Sequence, residues 1–125
     1  MTKPSLLVRQ LRSFGFAFRG IGTLLRTQTN ARWHLVATLG VVTLGLCLGL
    51  SRMEWCVLVL AMTAVWTAEA LNTALEFLAD VASPELHPLV EKAKDVAAAG
   101  VLIAALGAVV LGVLVLWPHR ASLLG

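Results

Sequence analysis

Residues 55–80 read WCVLVLAMTAVWTAEALNTALEFLAD, an apolar run long enough to cross a bilayer that nonetheless carries Glu69, Asn72, Glu76 and Asp80. Those four are spaced i, i+3, i+7 and i+11, which gathers them within about 80° on one face of a helix. A carboxylate at the centre of a spanning helix costs at least about 2.5–3.5 kcal/mol on insertion scales, so this strip is expected to face protein and not hydrocarbon. Helices can be glued together by Asn, Gln or Ser without burying ionisable groups. The strip therefore reads as a functional face.

Composition agrees with a membrane setting. Of the 125 residues, 58% are hydrophobic and 14% charged, with a mean hydropathy of +0.85, whereas charged residues make up about 25% of an ordinary soluble domain. A disordered tail, a disulfide scaffold and a water-soluble catalytic module are excluded. The expected architecture is all-α and integral to the membrane, a single domain over 1–125 with transmembrane helices over 30–50, 55–80 and 91–117. Leu35–Leu50 reaches spanning length once Asn30–His34 extend it into the interface, with Trp33 as a belt residue. Ser51, Arg52, Met53 and Glu54 read as a turn, and Ser83, Pro84 and Pro88 as a loop between the second and third crossings. Gly45, Gly49 and Ala97-Ala98-Ala99-Gly100 are small enough to let helices approach closely. Three crossings enclose a polar strip poorly, so an oligomer with strips at subunit boundaries is expected.

Residues 1–28 predict an amphipathic interfacial helix. Leu7, Leu11, Phe14, Phe18, Ile21 and Leu25 share an arc of about 80°, with Arg9, Arg12, Arg19 and Arg26 turned away from it. Phe16 sits about 180° from the apolar stripe, among the arginines, where anchoring alone does not need a ring. No separate apolar core or small-residue cleavage site marks this stretch as a signal peptide. Lys3, Arg9, Arg12, Arg19, Arg26 and Arg32 precede the first apolar run and Lys92 and Lys94 lie beside the second loop, whereas Arg52 and Arg120 alone lie on the other side. The positive side should be cytoplasmic, placing the N-terminus and the Asp80–Asp95 stretch where ATP is. Cys47 and Cys56 lack metal-site spacing and read as small apolar-run residues.

At the start of the third crossing, Glu91, Lys94, Asp95 and Ala98 share a face, bringing a Lys-Asp pair opposite the carboxylates of the preceding helix. The upper carboxylates and the lysine suit a metal nucleotide, because Mg²⁺ takes one or two carboxylates plus substrate phosphates. Glu69, deeper, can accept a proton from an alcohol presented by a lipid. No G-x-x-x-x-G-K-[ST] loop is present, so a nucleotide site here is not a P-loop. A small proton or ion transporter would also use buried acids, but it leaves Phe16, the basic helix and Lys94-Asp95 without a role.

Glu69-Ala70-Leu71-Asn72-Thr73-Ala74-Leu75-Glu76 with Asp80, His87 and Ala93-Lys94-Asp95-Val96-Ala97-Ala98-Ala99, together with Phe14–Gly20 and Asn30-Ala31-Arg32-Trp33-His34, resembles the prokaryotic diacylglycerol kinases and undecaprenol kinases. The resemblance implies a homotrimer in the bacterial inner (cytoplasmic) membrane, with composite sites between protomers and ATP γ-phosphoryl transfer to a membrane lipid alcohol. By position, Glu69 resembles the family's catalytic base and Glu76 a metal-binding carboxylate. Lys94 and Asp95 match its nucleotide-contacting pair, with Glu85, Leu86 and His87 near the phosphates. Arg9 and Phe16 fall where the surface helix helps bind nucleotide, and Asn72 resembles a buried hydrogen-bonding partner supporting the centre, with Asp80 beyond it.

One departure concerns the metal. Where the family usually has a metal-binding Glu before the first crossing, this chain has Gln28, whose amide oxygen can coordinate Mg²⁺ with one negative charge fewer. Asn30-x-Arg32-x-His34 and His87-Pro88 resemble the undecaprenol branch more than the diacylglycerol branch, so undecaprenol is the favoured acceptor and diacylglycerol the alternative. The expected partners are ATP, the lipid alcohol, the bilayer and further copies of the chain, with no nucleic acid.

Overall fold

The computed structural model describes residues 4–125, so Lys3 lies outside the described residues. The chain forms α1 (Leu6–Thr27), α2 (Thr29–Leu48), α3 (Arg52–Ala82) and α4 (Pro88–Leu116), followed by a 3₁₀ turn (Trp117–His119) and α5 (Arg120–Leu124). No strand occurs among the described residues. Both α2 and α3, and the segment from Pro88 onward, are long and apolar enough to cross a membrane. The protein is an all-helical membrane protein.

Local chemistry sets where each helix begins and ends. Gln28 leaves helical geometry at φ −107°, ψ 115° and separates α1 from α2. The Arg32 guanidinium then reaches back, donating to the carbonyls of Leu25 (3.0 Å) and Arg26 (2.7 Å). It satisfies two carbonyls that the helix end leaves unpaired and puts a cation at the negative end of the α1 dipole. The elbow is thereby fixed.

At the opposite end of the bundle, Gly49 takes φ 62° and closes α2 in the left-handed conformation that glycine adopts without a Cβ penalty. Ser51 and Glu54 form a reciprocal capping box, the Glu54 backbone N–H donating to Ser51 Oγ and the Ser51 N–H to Glu54 Oε2. The cap draws Arg52, Met53 and Glu54 into the first turn of α3. The turn expected over Ser51–Glu54 therefore contracts to the residues around Gly49–Ser51. His119 Nε2 lies 2.7 Å from Glu54 Oε1, tying the C-terminal segment to this cap.

Helix α3 is the spine. Its buried residues Leu58, Ala61, Val65, Glu69, Asn72 and Thr73 recur at three- and four-residue steps, so one stripe runs from an apolar half into a polar half. Gly45 of α2 admits the Trp55 ring, since a Cβ there would stand 2.7 Å from Trp55 Cη2. The other small residues act differently. Gly49 serves the turn, and open space surrounds Gly100, so the close approach expected there is not made within one chain.

Near the Gln28 elbow, α1 lies against the polar half of α3 across a cavity of about 350 Å³ whose walls include Ala17, Gly20, Leu24, Ala70, Thr73 and Phe77. Leu24 is buried, whereas Leu7, Leu11, Phe14, Phe18 and Ile21 are each more than half exposed. Leu25, the last residue of the expected stripe, is half-buried, and the chain leaves the rest of the stripe uncovered, which suits a helix lying on lipid. Elsewhere α2 and α4 flank α3 and leave a groove of about 730 Å³ running from Trp33 and His34 to Trp117 and Arg120.

Gly45→Ala overpacks the α2–α3 contact against an aromatic ring and is expected to cost about 1–3 kcal/mol. A thermal unfolding series in detergent checks this, with Gly100→Ala, which meets no neighbour within the chain, as the control.

Candidate active site

The polar half of α3 builds a buried cluster with α2. Glu69 is 1% exposed, and its Oε2 lies 3.6 Å from Nε2 of His34. His34 is held in register through its backbone and its ring. The Trp66 indole N–H donates to Thr38 Oγ1 (3.0 Å), the Thr38 hydroxyl donates to the His34 carbonyl (2.7 Å), and the His34 and Trp66 rings meet edge to face at 6.5 Å. One turn beyond Glu69, the Asn72 amide donates to Glu76 Oε1 at 3.0 Å. Four buried polar atoms remain without a hydrogen-bond partner: His34 Nε2, Glu69 Oε2, Asn72 Oδ1 and Thr73 Oγ1. An unpaired buried polar group costs about 1–3 kcal/mol, so this cluster is built to be completed by something outside the chain.

A second group of candidate residues gathers at the mouth between α3 and α4. Asp80, Glu85, Leu86, His87, Lys94 and Asp95 all line a cleft of about 340 Å³. Lys94 Nζ donates to Asp80 Oδ1 at 2.8 Å. Lys94 thus stands opposite a carboxylate of the preceding helix, as its place on α4 leads one to expect, and the bridge joins the two helices. Asp95 is exposed beside it. In the loop, Ser83 Oγ donates to the Glu85 carbonyl (2.8 Å), Leu86 is almost fully exposed, and His87 Nδ1 accepts the Leu89 N–H at the start of α4. Along α3, Glu69 lies 11 residues below Asp80, about 16 Å at 1.5 Å per residue. Glu76 stands between the two groups.

Three candidates stay apart from both groups within one chain. Arg9 is exposed on α1. Phe16 is exposed as well, with the Arg19 guanidinium 4.6 Å from its ring centroid. Gln28 sits at the α1–α2 elbow, where its amide donates to Thr27 Oγ1 at 3.2 Å and makes no bond to Glu76. Among the described residues, no three His, Cys, Asp or Glu side chains converge as a ready-made metal cage. The half-buried Glu76, with Oε1 taken by Asn72, presents hard oxygen chemistry that fits Mg²⁺ if phosphates and water supply the remaining ligands.

His34, which enters the sequence reading only in weighing the acceptor lipid, stands beside Glu69. Its signal was its place: an ionisable side chain just inside a spanning helix, hidden by its neighbour Trp33, which reads as an interfacial anchor.

A carboxylate buried in a membrane helix, below a lysine-bearing mouth and beside a basic helix with an uncovered apolar stripe, has the makings of an integral-membrane enzyme. Residues 15–116 match the family model described as prokaryotic diacylglycerol kinase, and the chain belongs to that family. It is 36% identical over 112 residues to the undecaprenol kinase of Bacillus subtilis, covering 90% of this chain and 91% of that one. It is 38% identical over 122 residues to a diacylglycerol kinase of Synechocystis, covering 97% and 67% of the two chains. With the diacylglycerol kinase of Escherichia coli the identity is 30% over 111 residues, covering 89% and 91%. The protein is a membrane lipid kinase.

The Asp80–Lys94 bridge is open to solvent on both partners, with side-chain exposures of 65% and 39%, and such pairs contribute at most about 1 kcal/mol. Asp80→Asn is therefore expected to leave thermal stability within that margin, as measured by unfolding in detergent.

Proposed function

We propose that this lipid kinase transfers the γ-phosphoryl group of ATP to the hydroxyl of undecaprenol, giving undecaprenyl phosphate. The observation that carries the reading is the buried Glu69 carboxylate with an unpaired oxygen, on a membrane helix that rises to a lysine-bearing mouth. In this reading the lipid hydroxyl reaches Glu69 from the groove between α2 and α4, whose upper end is His34, while the apolar chain lies along the groove. The alcohol oxygen bonds to the γ-phosphorus, the bond from γ-phosphorus to the bridging oxygen breaks, ADP leaves, and Glu69 takes the hydroxyl proton.

The nucleotide enters by the mouth. Lys94 offsets phosphate charge there, Asp95 and Glu85, Leu86 and His87 border it, and Asp80 holds the lysine in place. Asn72 orients Glu76. Glu76 and Gln28 are the residues to hold Mg²⁺, which when bound neutralises charge on the phosphate oxygens. Arg9 and Phe16 complete the nucleotide site from α1, the ring stacking on adenine. Because Arg9, Phe16 and Gln28 do not meet Glu76 within one chain, the site is assembled in a homotrimer from neighbouring protomers. That trimer lies in the bacterial inner membrane, with the basic N-terminal helix cytoplasmic, and 1–125 acts as a single lipid-kinase domain.

The acceptor assignment draws on the relative named undecaprenol kinase and on Asn30, Arg32, His34 and His87-Pro88. Diacylglycerol is the second reading, favoured by relatives named diacylglycerol kinase. Purified protein given ATP, Mg²⁺ and each alcohol in turn is expected to label undecaprenol with the higher kcat/KM; a higher value for diacylglycerol reverses the assignment.

Glu69→Gln is expected to abolish transfer while the oligomer and nucleotide binding persist, and normal turnover would remove Glu69 from the proton step. For the metal, Gln28→Glu restores a negative charge and should lower the Mg²⁺ concentration giving half-maximal rate. An unchanged or higher requirement counts against Gln28 as a ligand.

A further inference from the structure

We propose that His34 is a positioning residue for the reaction, donating its Nε2–H to Glu69 Oε2 and so aiming the carboxylate at the acceptor hydroxyl. This rests on the reading of Glu69 as the group that takes the hydroxyl proton. Among the described residues, His34 is the basic side chain within ion-pairing distance of Glu69. The two facing atoms are both buried and both lack another partner. Their 3.6 Å separation exceeds a good N–H···O bond by roughly 0.6 Å, a gap that a small rotation of either side chain closes. Active-site hydrogen bonds commonly tighten in this way when substrate arrives.

Two further observations separate this arrangement from a histidine that merely fills space. The ring meets the Trp66 ring edge to face at 6.5 Å, and Trp66 is itself tied to α2, its indole N–H donating to Thr38, whose hydroxyl donates to the His34 carbonyl. These contacts join α2 to α3 at the level where His34 faces Glu69. The same ring lines the upper end of the apolar groove, with Thr38 and Val65 near it. His34 is a groove-lining residue that stands 3.6 Å from Glu69, so an alcohol whose chain occupies the groove approaches the carboxylate past this ring. Donation from Nε2 requires the tautomer with hydrogen on that nitrogen, which leaves Nδ1 bare in the neutral ring. A neutral donor can orient the carboxylate and still let it accept a proton.

The test compares two replacements in the full-length protein in lipid or detergent. His34→Leu keeps bulk and removes the donor, whereas His34→Gln keeps an N–H at similar reach. His34→Leu is expected to lower kcat about 10- to 100-fold, the size of losing one hydrogen bond to a charged group, with KM for ATP unchanged. His34→Gln is expected to recover at least about tenfold of that loss. Equal losses in the two variants, or wild-type turnover in His34→Leu, overturn the proposal. A readout independent of variant folding is ¹⁵N-histidine NMR of the intact protein with and without Glu69→Gln. The His34 Nε2 resonance is expected to move when the carboxylate becomes an amide, and an unmoved resonance also overturns the proposal. If Glu69→Gln itself turns over normally, the underlying reading of Glu69 has failed instead. An inactive Glu69→Gln beside unaffected His34 variants isolates the failure to His34.

Discussion

The cost of carrying Glu69 within a membrane helix governs the arrangement around it. A charge or unpaired proton donor at that depth is tolerated only where other protein surrounds it, and the chain supplies that surround from both directions. Helix α2 brings His34 and the Thr38–Trp66 contact, and α1 folds back at Gln28 to lie beside Ala70 and Phe77. The elbow locked by Arg32 is therefore part of the same solution, since without it α1 would not return to the polar half of α3. The far half of α3 carries no such demand. There Leu58, Ala61 and Val65 continue the stripe with apolar side chains, and Gly45 lets Trp55 pack closely.

That division along one helix assigns the two ends of the molecule different work. The end at Gly49–Ser51 is closed locally by a left-handed glycine, a capping box and the His119–Glu54 contact, all short-range devices that hold a turn. At the other end, polar groups are set out in depth: Lys94 and Asp80 at the mouth, Glu76 with Asn72 below, then Glu69 with His34. In the proposed reaction the phosphate donor is soluble and the lipid hydroxyl is not, which calls for a carboxylate reached from the bilayer and a cation reached from water, stacked along the membrane normal. A single long helix with one polar stripe provides that stacking.

Much of this was legible in the sequence because membrane crossings impose lengths and polar residues within them are costly. The i, i+3, i+7, i+11 polar strip marked the face of α3 on which Glu69 and Asn72 are buried and Glu76 half-buried, with Asp80 exposed at the mouth, and the stripe from Leu7 to Ile21 marked the face of α1 that protein leaves uncovered, Leu25 beside it being half-buried. What the sequence concealed were choices made by caps and by partners on other helices. Ser51 and Glu54 look like turn residues until both sides of their reciprocal bond are seen. His34 was hidden for the same reason. Periodicity along α3 says which side is polar but not which residue of α2 will stand opposite Glu69.

The single chain also shows where its own resources stop. Four buried polar atoms around Glu69, Asn72, Thr73 and His34 remain unpaired, although burying them unpaired opposes folding by about 1–3 kcal/mol each. Most of the outer surface of α4, including Val96, Ile103, Val109 and Leu114, is uncovered. Lipid can satisfy the second deficit but not the first, because hydrocarbon offers no hydrogen bonds. Partners for the polar cluster must therefore be polar groups at the same depth, whether His34 and Glu69 closing on each other or groups arriving from outside the chain. Two of those atoms, Glu69 Oε2 and His34 Nε2, belong to the residues that the proposed reaction uses, so the cost borne by a single chain falls at the proposed site.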